Sequence, residues 1–460
     1  MVNDEFEHFL DGANVVKLKD VSLKIGSGST PRGGESAYID EREVFAFVRS
    51  QNVYDFRFNT DGIRFITDGD AHKLKGVHLQ RDDILLNITG DGLTFARCCL
   101  VPESILPAAV NQHVCIIRVD KEKCLPSYLL AFLCLPETKK YIENFNAGGS
   151  RRAITKGHIE SFEIPLLPMT IQKVISRNAE DILCKQKLNN QINQTLEQMA
   201  QTLFKSWFVD FDPVKAKMNG EQPKGMNAAT ASLFPEKLVE SELGLIPEGW
   251  EASKLEDLVD IASSKRVFAK EYLKEGVPFY RGKEITELSK GNSVTPEIYI
   301  SEERYQELKD KAGAPKKGDI LITSVGTIGN TYLVDLEDKF YFKDGNLTWV
   351  RGYKGEEIPY FLMEWFNSAV GKCAVENIKI GSTQQAITIK SLNGIKLVSP
   401  PNDIHMKFTQ LIEPLYRKHR ANIKQSKALA NLRDTLLPKL LSGEIDLENV
   451  QVKEVKAIVE

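Results

Sequence analysis

The same series of short motifs occurs twice along this chain. Four pairs of segments match in the same order, at an offset of 233 to 237 residues. Such an offset far exceeds the period of about 20–50 residues that is typical of solenoid repeats. We therefore interpret the chain as two copies of a whole domain. The matching pairs are Lys17–Val21 with Lys254–Leu258, Asp83–Leu86 with Asp319–Ile322, Ser150–Thr155 with Thr383–Thr388, and Ile164–Pro168 with Leu397–Pro401.

Each copy shows the same order of predicted elements. Short runs of β-branched and aromatic residues, divided by Gly, Asp and Asn, predict strands. A short helix is predicted near Pro126–Asn144 and again near Pro359–Val375. A long helix then ends each copy, from about Thr170 to about Phe208 and from about Asp403 to about Leu441. Pro414 is expected to end or kink the first turns of the second long helix.

Apolar residues recur along one face of both long helices, and in the first helix the polar residues Asn178, Lys185 and Asn189 interrupt this face. This pattern is typical of a coiled coil in which the polar positions select the register. Two ordinary amphipathic helices, each buried on its own domain, remain the alternative. The predicted fold is α+β, with two duplicated, mainly β domains joined by a long two-helix antiparallel coiled coil in a pseudo-two-fold arrangement. At 1.5 Å per residue, each helix would be about 60 Å long.

The composition excludes several other classes of protein. A hydrophobic fraction of 42% is ordinary for a globular chain and argues against disorder. The seven cysteines form no Cys-x-x-Cys pair, so we expect reduced thiols in a cytoplasmic protein and no metal site. The N-terminus lacks the pattern of a signal peptide, and no apolar run is long enough to span a membrane.

Common catalytic motifs are missing. The sequence has no P-loop, no Gly-x-Ser-x-Gly and no His-Glu-x-x-His. Ser399–Asn402 invites comparison with the Asn/Asp-Pro-Pro-aromatic loop of amino-methyltransferases, but it lacks the aromatic residue and lies where a long helix begins. We therefore predict a binding protein and no catalytic residue. A fused DNA methyltransferase or nuclease, and a coiled-coil scaffold without DNA specificity, are the alternatives.

Polar and basic side chains occupy matched loops of the two copies. Arginine suits guanine edges and phosphates, whereas Asn and Gln suit adenine edges. The net charge of −3 gives no overall basic signature, so these loops would have to provide the contacts locally. Solvated loop residues are the alternative interpretation. The residues predicted to bind DNA are Ser27, Ser29, Thr30, Arg32, Arg49, Gln51, Asn52, Arg151 and Arg152 in the first copy, and Lys265, Arg266, Arg281, Lys283, Thr383, Gln384 and Gln385 in the second.

Several segments resemble one known family. Gln201–Val214 closely resembles the central conserved region of type I restriction-modification specificity subunits. Leu243–Trp250 resembles the start of their second target recognition domain, and Leu436–Ile445 resembles their C-terminal conserved helix end. Ile25–Pro31 resembles the start of their recognition domains, whereas Ile261–Ser264 in the second copy lacks the glycines.

The resemblance implies a non-catalytic subunit that reads a bipartite, asymmetric site in double-stranded DNA. Each recognition domain would read one half, and the helices would set the length of the spacer. Two modification subunits would supply S-adenosylmethionine-dependent adenine methylation, and two restriction subunits would supply ATP- and Mg-dependent translocation and cleavage. No cofactor would be bound by this chain itself.

The resemblance and the pattern together predict domain bounds and a docking surface for partner subunits. The aromatic cluster at the end of the first helix could instead be a local core. The predicted docking residues are Phe204, Trp207, Phe208, Phe211, Leu436, Leu437 and Leu440. The predicted bounds are 1–165 and 244–400 for the recognition domains, 166–214 and 401–445 for the long helices, 215–243 for a connector and 446–460 for a tail.

Overall fold

The structure is a computed structural model that describes residues 4–445, apart from 11, 12, 148, 150, 293, 356, 383 and 384. The chain divides into two compact units. Unit 1 is Met1–Lys187 with Ala428–Glu460, and unit 2 is Leu188–Lys427. The predicted tail 446–460 lies outside the described residues.

Unit 1 is built around a four-stranded antiparallel sheet. Its central strands are mainly apolar, and every side chain of Ile84–Asn87 is buried. A three-stranded sheet follows, in which Ala108–Val110 runs parallel to Phe45–Val48. In order, the four strands are Ser22–Ser27, Val114–Val119, Ile84–Asn87 and Cys98–Leu100; the three are Ala108–Val110, Phe45–Val48 and Arg64–Ile66; the paired short strands are Val15–Lys17 with Glu163–Pro165, Thr89–Gly90 with Arg152–Ala153, and Val53–Tyr54 with Arg57–Phe58.

Unit 2 repeats the four-stranded sheet, the three-stranded sheet and the pair that joins the first and last strands of the domain. Its three-stranded sheet again contains one parallel pair, Val277–Tyr280 with Tyr341–Phe342. The repeated strand order confirms that the chain contains two copies of a mainly β domain. In order, the four strands are Asp260–Ala262, Leu347–Arg351, Ile320–Thr323 and Thr331–Leu333; the three are Tyr299–Ile300, Val277–Tyr280 and Tyr341–Phe342; the paired strands are Glu251–Lys254 with Lys396–Ser399 and Leu238–Ser241 with Gly244–Pro247.

Short helices cover the sheets. The single helix predicted near Pro126–Asn144 is two helices, with Pro136 in the first turn of the second. The helix predicted near Pro359–Val375 is also divided, because Ser368 leaves the helical conformation and caps the next helix. The α-helices are Asp4–Leu10, Asp68–Lys73, Pro126–Leu133, Pro136–Glu143 and Lys156–Glu160 in unit 1, and Asp212–Met218, Ala228–Ala231, Leu255–Leu258, Gly282–Ser289, Glu302–Ala312, Ile358–Asn367, Ala369–Asn377 and Ile389–Asn393 in unit 2. Short 3-10 helices are Leu18–Val21, Gly34–Ala37, Ser50–Asn52, Lys75–Val77, Glu103–Ile105 and Ala269–Glu271.

Two helices of 40 residues each confirm the long helices predicted from the sequence. They are Met169–Phe208, called here the central helix, and Asn402–Leu441, called the C-terminal helix. Pro414 was predicted to end or kink the second helix; the ending is wrong, since the C-terminal helix continues through Pro414, and the kink stays a prediction. No helix of the described residues is both long and apolar enough to cross a membrane.

Within unit 2 the two long helices run antiparallel. The Asn189 side-chain amide donates to Gln425 Oε1 at 3.0 Å, and the Asn193 amide donates to the His419 carbonyl at 3.3 Å. Further along the central helix, the ring of Phe204 lies 6.1 Å from that of Phe408. Because the partner's number falls as the residue's number rises, the pairing is antiparallel. Buried asparagines supply its polar contacts, as expected for positions that select a register.

Candidate nucleic-acid interface

In unit 1, several loops meet at one end of the two sheets. The strand Ser22–Ser27 ends where Val114–Val119 begins and where Ile84–Asn87 ends, because these neighbours are antiparallel. The Ser29 amide donates to the Val110 carbonyl at 3.0 Å, and the Asn111 amide donates to the Val48 carbonyl at 3.0 Å. These bonds place the predicted loop at 28–32 beside the turn at 111–113.

Gly28 makes this close approach possible. A Cβ atom at this position would lie 2.2 Å from the carbonyl oxygens of Val110 and Asn111, which no side chain tolerates. The loop that follows therefore packs directly against the backbone of its neighbour. Ser27 and Ser29 are exposed on it, and so is Arg32.

Side-chain hydrogen bonds connect the 28–32 loop and Thr89 to the turn at 111–113. The Thr30 hydroxyl donates to Gln112 Oε1, and Thr89 Oγ1 lies 2.7 Å from His113 Nδ1. Burial lowers the pKa of His113, and the positive charge of Arg151 lowers it further. At neutral pH the His113 imidazole is therefore uncharged and can both donate and accept a hydrogen bond.

The two predicted arginines lie on the same surface. Arg152 pairs with Gly90 in a short antiparallel ladder, and its Nη1 lies 2.9 Å from Glu143 Oε1. Arg151 is exposed. Of this pair, Arg151 is therefore the more accessible side chain, whereas Arg152 is oriented by a carboxylate.

The predicted residues after the strand Phe45–Val48 have a mainly structural role in the free chain. Asn52 is fully buried; its Oδ1 accepts from the Arg49 amide at 3.0 Å, and its Nδ2 donates to the Asn59 carbonyl at 2.9 Å. Its amide is committed to this turn and does not face a base edge in this conformation. Arg49 Nη2 donates to the Gly62 carbonyl at 2.7 Å, while Gln51 is exposed.

In unit 2, two of the predicted cations, Arg281 and Lys283, pair with carboxylates. The Arg281 guanidinium lies 2.7 Å from Glu284 Oε1 and 2.7 Å from Glu297 Oε2. Lys283 Nζ lies 2.7 Å from Glu297 Oε1. Hydrogen bonds from Lys283 and then Arg281 lower the pKa of Glu297 to about 2, so these ion pairs persist at neutral pH. A phosphate would have to replace a carboxylate to bind these cations.

The loop after Asp260–Ala262 contributes the remaining predicted cations of unit 2. Lys265 is exposed, and its backbone amide donates to the Tyr341 hydroxyl at 3.0 Å. Arg266 Nε lies 2.9 Å from Asp344 Oδ2. This loop therefore packs beside the parallel strand pair, as the 28–32 loop does in unit 1.

One hydrogen bond shows that the matched segments occupy the same place in each copy. The Ile154 amide donates to the Ile88 carbonyl at 3.0 Å, and the Ile387 amide donates to the Ser324 carbonyl at 3.0 Å. Arg152 in unit 1 and Gln385 in unit 2 therefore hold equivalent positions, and Gln385 is exposed. Thr383 and Gln384, also predicted to bind DNA, lie outside the described residues.

Three polar residues of this surface were not among the residues predicted from the sequence to bind DNA. Thr89, Gln112 and His113 join the loops of unit 1 but belong to none of the matched motifs. A signal for two of them exists: Asn111–His113 is a polar turn between the apolar strands Ala108–Val110 and Val114–Val119. Such a turn between buried strands must lie at the edge of the sheet.

The aromatic cluster that was predicted to dock partner subunits lies in the core of unit 2. Phe204, Trp207 and Phe208 are nearly fully buried, and the Phe208 ring lies 4.9 Å from Phe408 and 5.0 Å from Phe361. These contacts favour the local-core alternative for the free chain. Phe211 belongs to the same core, whereas Leu436, Leu437 and Leu440 pack in the core of unit 1.

One cluster in unit 1 has metal-ligand residue types. Asp55, Cys98 and Cys134 bring a carboxylate oxygen and two sulfurs within 4.8 Å of one another. However, Lys139 Nζ lies 2.7 Å from Asp55 Oδ1 and 3.7 Å from Cys98 Sγ. An ammonium group thus occupies the place next to the carboxylate that a cation would need, and the cluster is better suited to structure than to metal binding.

Comparisons with known proteins agree with this architecture. The sequence model of the family described as type I restriction modification DNA specificity domain matches residues 11–198 and again residues 247–430. The chain is 25% identical over 441 residues to the type I restriction enzyme HindI specificity subunit of Haemophilus influenzae, covering 87% of this chain and 94% of that protein. It is 25% identical over 450 residues to the MjaIX specificity subunit of Methanocaldococcus jannaschii, covering 95% and 94%.

A solved structure shares the fold. The crystal structure of a type I restriction-modification system S subunit from M. genitalium superposes with a TM-score of 0.52 at 15% sequence identity, covering 94% of this chain and 96% of that one. The two family matches coincide with the two copies of the β domain, each with the adjoining part of a long helix. The chain therefore belongs to the type I restriction-modification DNA specificity family.

Proposed function

We propose that this chain is the DNA sequence-specificity subunit of a type I restriction-modification complex. The observation that carries the proposal is the family match to both copies, combined with the loops of unit 1 that meet at one end of its sheets. Backbone amides, hydroxyls and an exposed arginine lie together there. Such groups bind phosphates and base edges.

The two copies would read different half-sites. Equivalent positions carry Arg152 in unit 1 and Gln385 in unit 2. A guanidinium favours guanine, whereas an amide favours adenine. A bipartite, asymmetric target follows from this difference, with one half read by each recognition domain.

We infer further that the chain has no catalytic activity of its own and acts in the cytoplasm, where its DNA target is. Two modification subunits would bring S-adenosylmethionine and methylate adenine after flipping it out of the stack. Two restriction subunits would bring ATP and Mg. A near-neutral chain fits this division, because its partners would share the phosphate contacts.

A domain exchange tests the proposal. Residues 1–165 are replaced with the first recognition domain of another family member, and methylated adenines are mapped by sequencing after expression with modification subunits. We expect one half of the target to change and the other half to stay. Alteration of both halves would refute modular recognition.

Two controls separate the alternatives. Methylation or cleavage by the purified chain alone, with cofactors added, would favour a fused enzyme. Equal affinity of the assembled complex for random and cognate duplexes, at one fixed salt concentration, would favour a non-specific scaffold.

Deleting seven residues from each long helix should change the spacer length and leave both half-sites intact.

A further inference from the structure

The loop 91–96 of unit 1 is longer than its counterpart in unit 2. An equivalent backbone hydrogen bond closes each loop. The Asn87 amide donates to the Arg97 carbonyl in unit 1, and the Thr323 amide donates to the Asn330 carbonyl in unit 2, each at 2.9 Å. Six residues separate Gly90 from Arg97, whereas three separate Gly326 from Asn330. Unit 1 therefore has three extra residues at this position.

The longer loop is held in one conformation by its own side chains. Asp91 Oδ1 accepts hydrogen bonds from the Leu93 amide at 3.1 Å, the Thr94 amide at 2.8 Å and the Thr94 hydroxyl at 2.7 Å. These bonds lower the pKa of Asp91, so the carboxylate that organises the loop is ionised at neutral pH. Phe95 and Ala96 are buried and anchor the end of the loop.

At the tip of this ordered loop, Leu93 points into solvent. Its exposed fraction is 76%, whereas Ile328 in the shorter loop of unit 2 packs against the core of its own unit. Burial of apolar surface is the main stabilising contribution that a leucine can make. Leu93 contributes little stability in this way in the free chain, although the loop around it is held by hydrogen bonds.

The surroundings of Leu93 suit nucleic acid. Nη1 of Arg152 lies 3.0 Å from the point where a Cβ on Gly92 would be, so the guanidinium packs against the loop. Arg152 pairs in the ladder with Gly90, and Thr89 next to it contacts His113 at 2.7 Å. The loop that carries Leu93 thus lies against one guanidinium, and the ladder beside that guanidinium leads to further groups of the kind that bind base edges and phosphates.

We infer that Leu93 is a specificity-determining residue that contacts the 5-methyl group of a thymine in the half-site read by the first recognition domain. In the major groove, this methyl group is the apolar feature of the base edges. An apolar side chain beside an arginine would therefore select a T·A pair next to a hydrogen-bonded pair. This inference rests on the proposed function and adds to it the base that one residue reads.

The test compares duplexes that differ by a single methyl group. The target is first determined by mapping methylated adenines, and the half-site of unit 1 is identified as the half that changes when residues 1–165 are exchanged. Each thymine of that half is then replaced, one at a time, with deoxyuridine. We expect the complex of the full chain with its modification subunits to bind one of these duplexes about fourfold more weakly, the factor expected for one buried methyl group.

The variant Leu93→Ala should bind the cognate duplex at least tenfold more weakly and should lose the response to deoxyuridine at that position. Leu336→Ala is the matched control, because Leu336 is 79% exposed and lies next to Asp335 and Glu337 in unit 2. This control should bind like the wild type and should retain the response.

Three results would overturn the inference while leaving the proposed function in place: wild-type affinity of Leu93→Ala, an unchanged deoxyuridine response in that variant, or a half-site without a T·A pair. If the wild-type complex shows no preference for any sequence, the proposed function itself fails. Thermal unfolding of both variants checks that each exposed substitution leaves the fold intact.

Discussion

The buried asparagine pair between the long helices offers the sharpest test of what holds unit 2 together. Asn422 Nδ2 donates to Asn193 Oδ1 at 2.8 Å, and the exposed fractions of the two residues are 1% and 7%. Changing Asn422→Leu leaves the Asn193 oxygen buried without this donor. An unsatisfied buried polar group costs about 1–3 kcal/mol, so the free energy of unfolding should fall by that amount.

Changing both residues together should not lower the free energy of unfolding. In Asn193→Leu with Asn422→Leu, both partners of this hydrogen bond are removed together, and two leucines replace two residues of lower helix propensity. Replacing both partners of a buried polar pair is often neutral or stabilising. We therefore expect the double variant to equal or exceed the wild type, which gives a coupling energy of at least about 1 kcal/mol between the two positions.

Tryptophan fluorescence during urea unfolding measures this effect in the correct unit. The four tryptophans of the chain, at 207, 250, 349 and 365, all belong to unit 2. The midpoint shift at constant slope then gives the change in stability. A single variant as stable as the wild type, or a double variant that loses the sum of both single losses, would refute the reasoning.

Other parts of the molecule can be tested by substitution as well. Phe208→Ala should destabilise the free chain by about 3–5 kcal/mol in the same assay, because its ring lies in the core; wild-type stability would return it to the set of partner-binding residues. Burial raises the pKa of Glu364 to about 7, so the folded state keeps a proton that the unfolded state loses near pH 4.5, and this group makes stability fall as the pH rises through that range. The stability of Glu364→Gln relative to the wild type should therefore increase by up to about 3 kcal/mol between pH 5 and pH 8, and a constant difference would contradict the assignment. Arg151→Ala should weaken binding of the cognate duplex by about 1–3 kcal/mol if its guanidinium contacts a base in bidentate fashion, and an unchanged dissociation constant at fixed salt would identify Arg151 as a solvated loop residue.

Most of the architecture was predictable because its signals are periodic or repeated. The long helices were predicted to within about one residue at each end, since a recurring apolar face extends over 40 residues. The divided helices were not, because the break at Ser368 depends on a cap that competes locally with a continuing helix. Pro414 shows the reverse: tertiary packing keeps the helix intact where local propensity predicts an end.

The DNA-binding residues remain a prediction, and the structure shows which of them already have partners in the free chain. Residue type alone placed Arg49, Asn52 and Arg281 among the DNA-binding side chains. The structure assigns the Asn52 amide to a turn and the Arg281 guanidinium to two carboxylates. These partners come from distant segments or from local turn geometry, neither of which has a periodic signal.

The order of residues was enough to identify a duplicated domain with two long helices and unlike residues at matched positions. Repetition and periodicity are properties of the order of residues, so they can be recognised without coordinates. Which side chains are accessible to a ligand, in contrast, depends on how the chain folds. The tertiary structure joined Thr30, Gln112, Thr89 and His113 into one surface, and it exposed Leu93 while its counterpart Ile328 was packed against the core. Availability depends on which distant segments fold over a residue, and that is a property of packing alone.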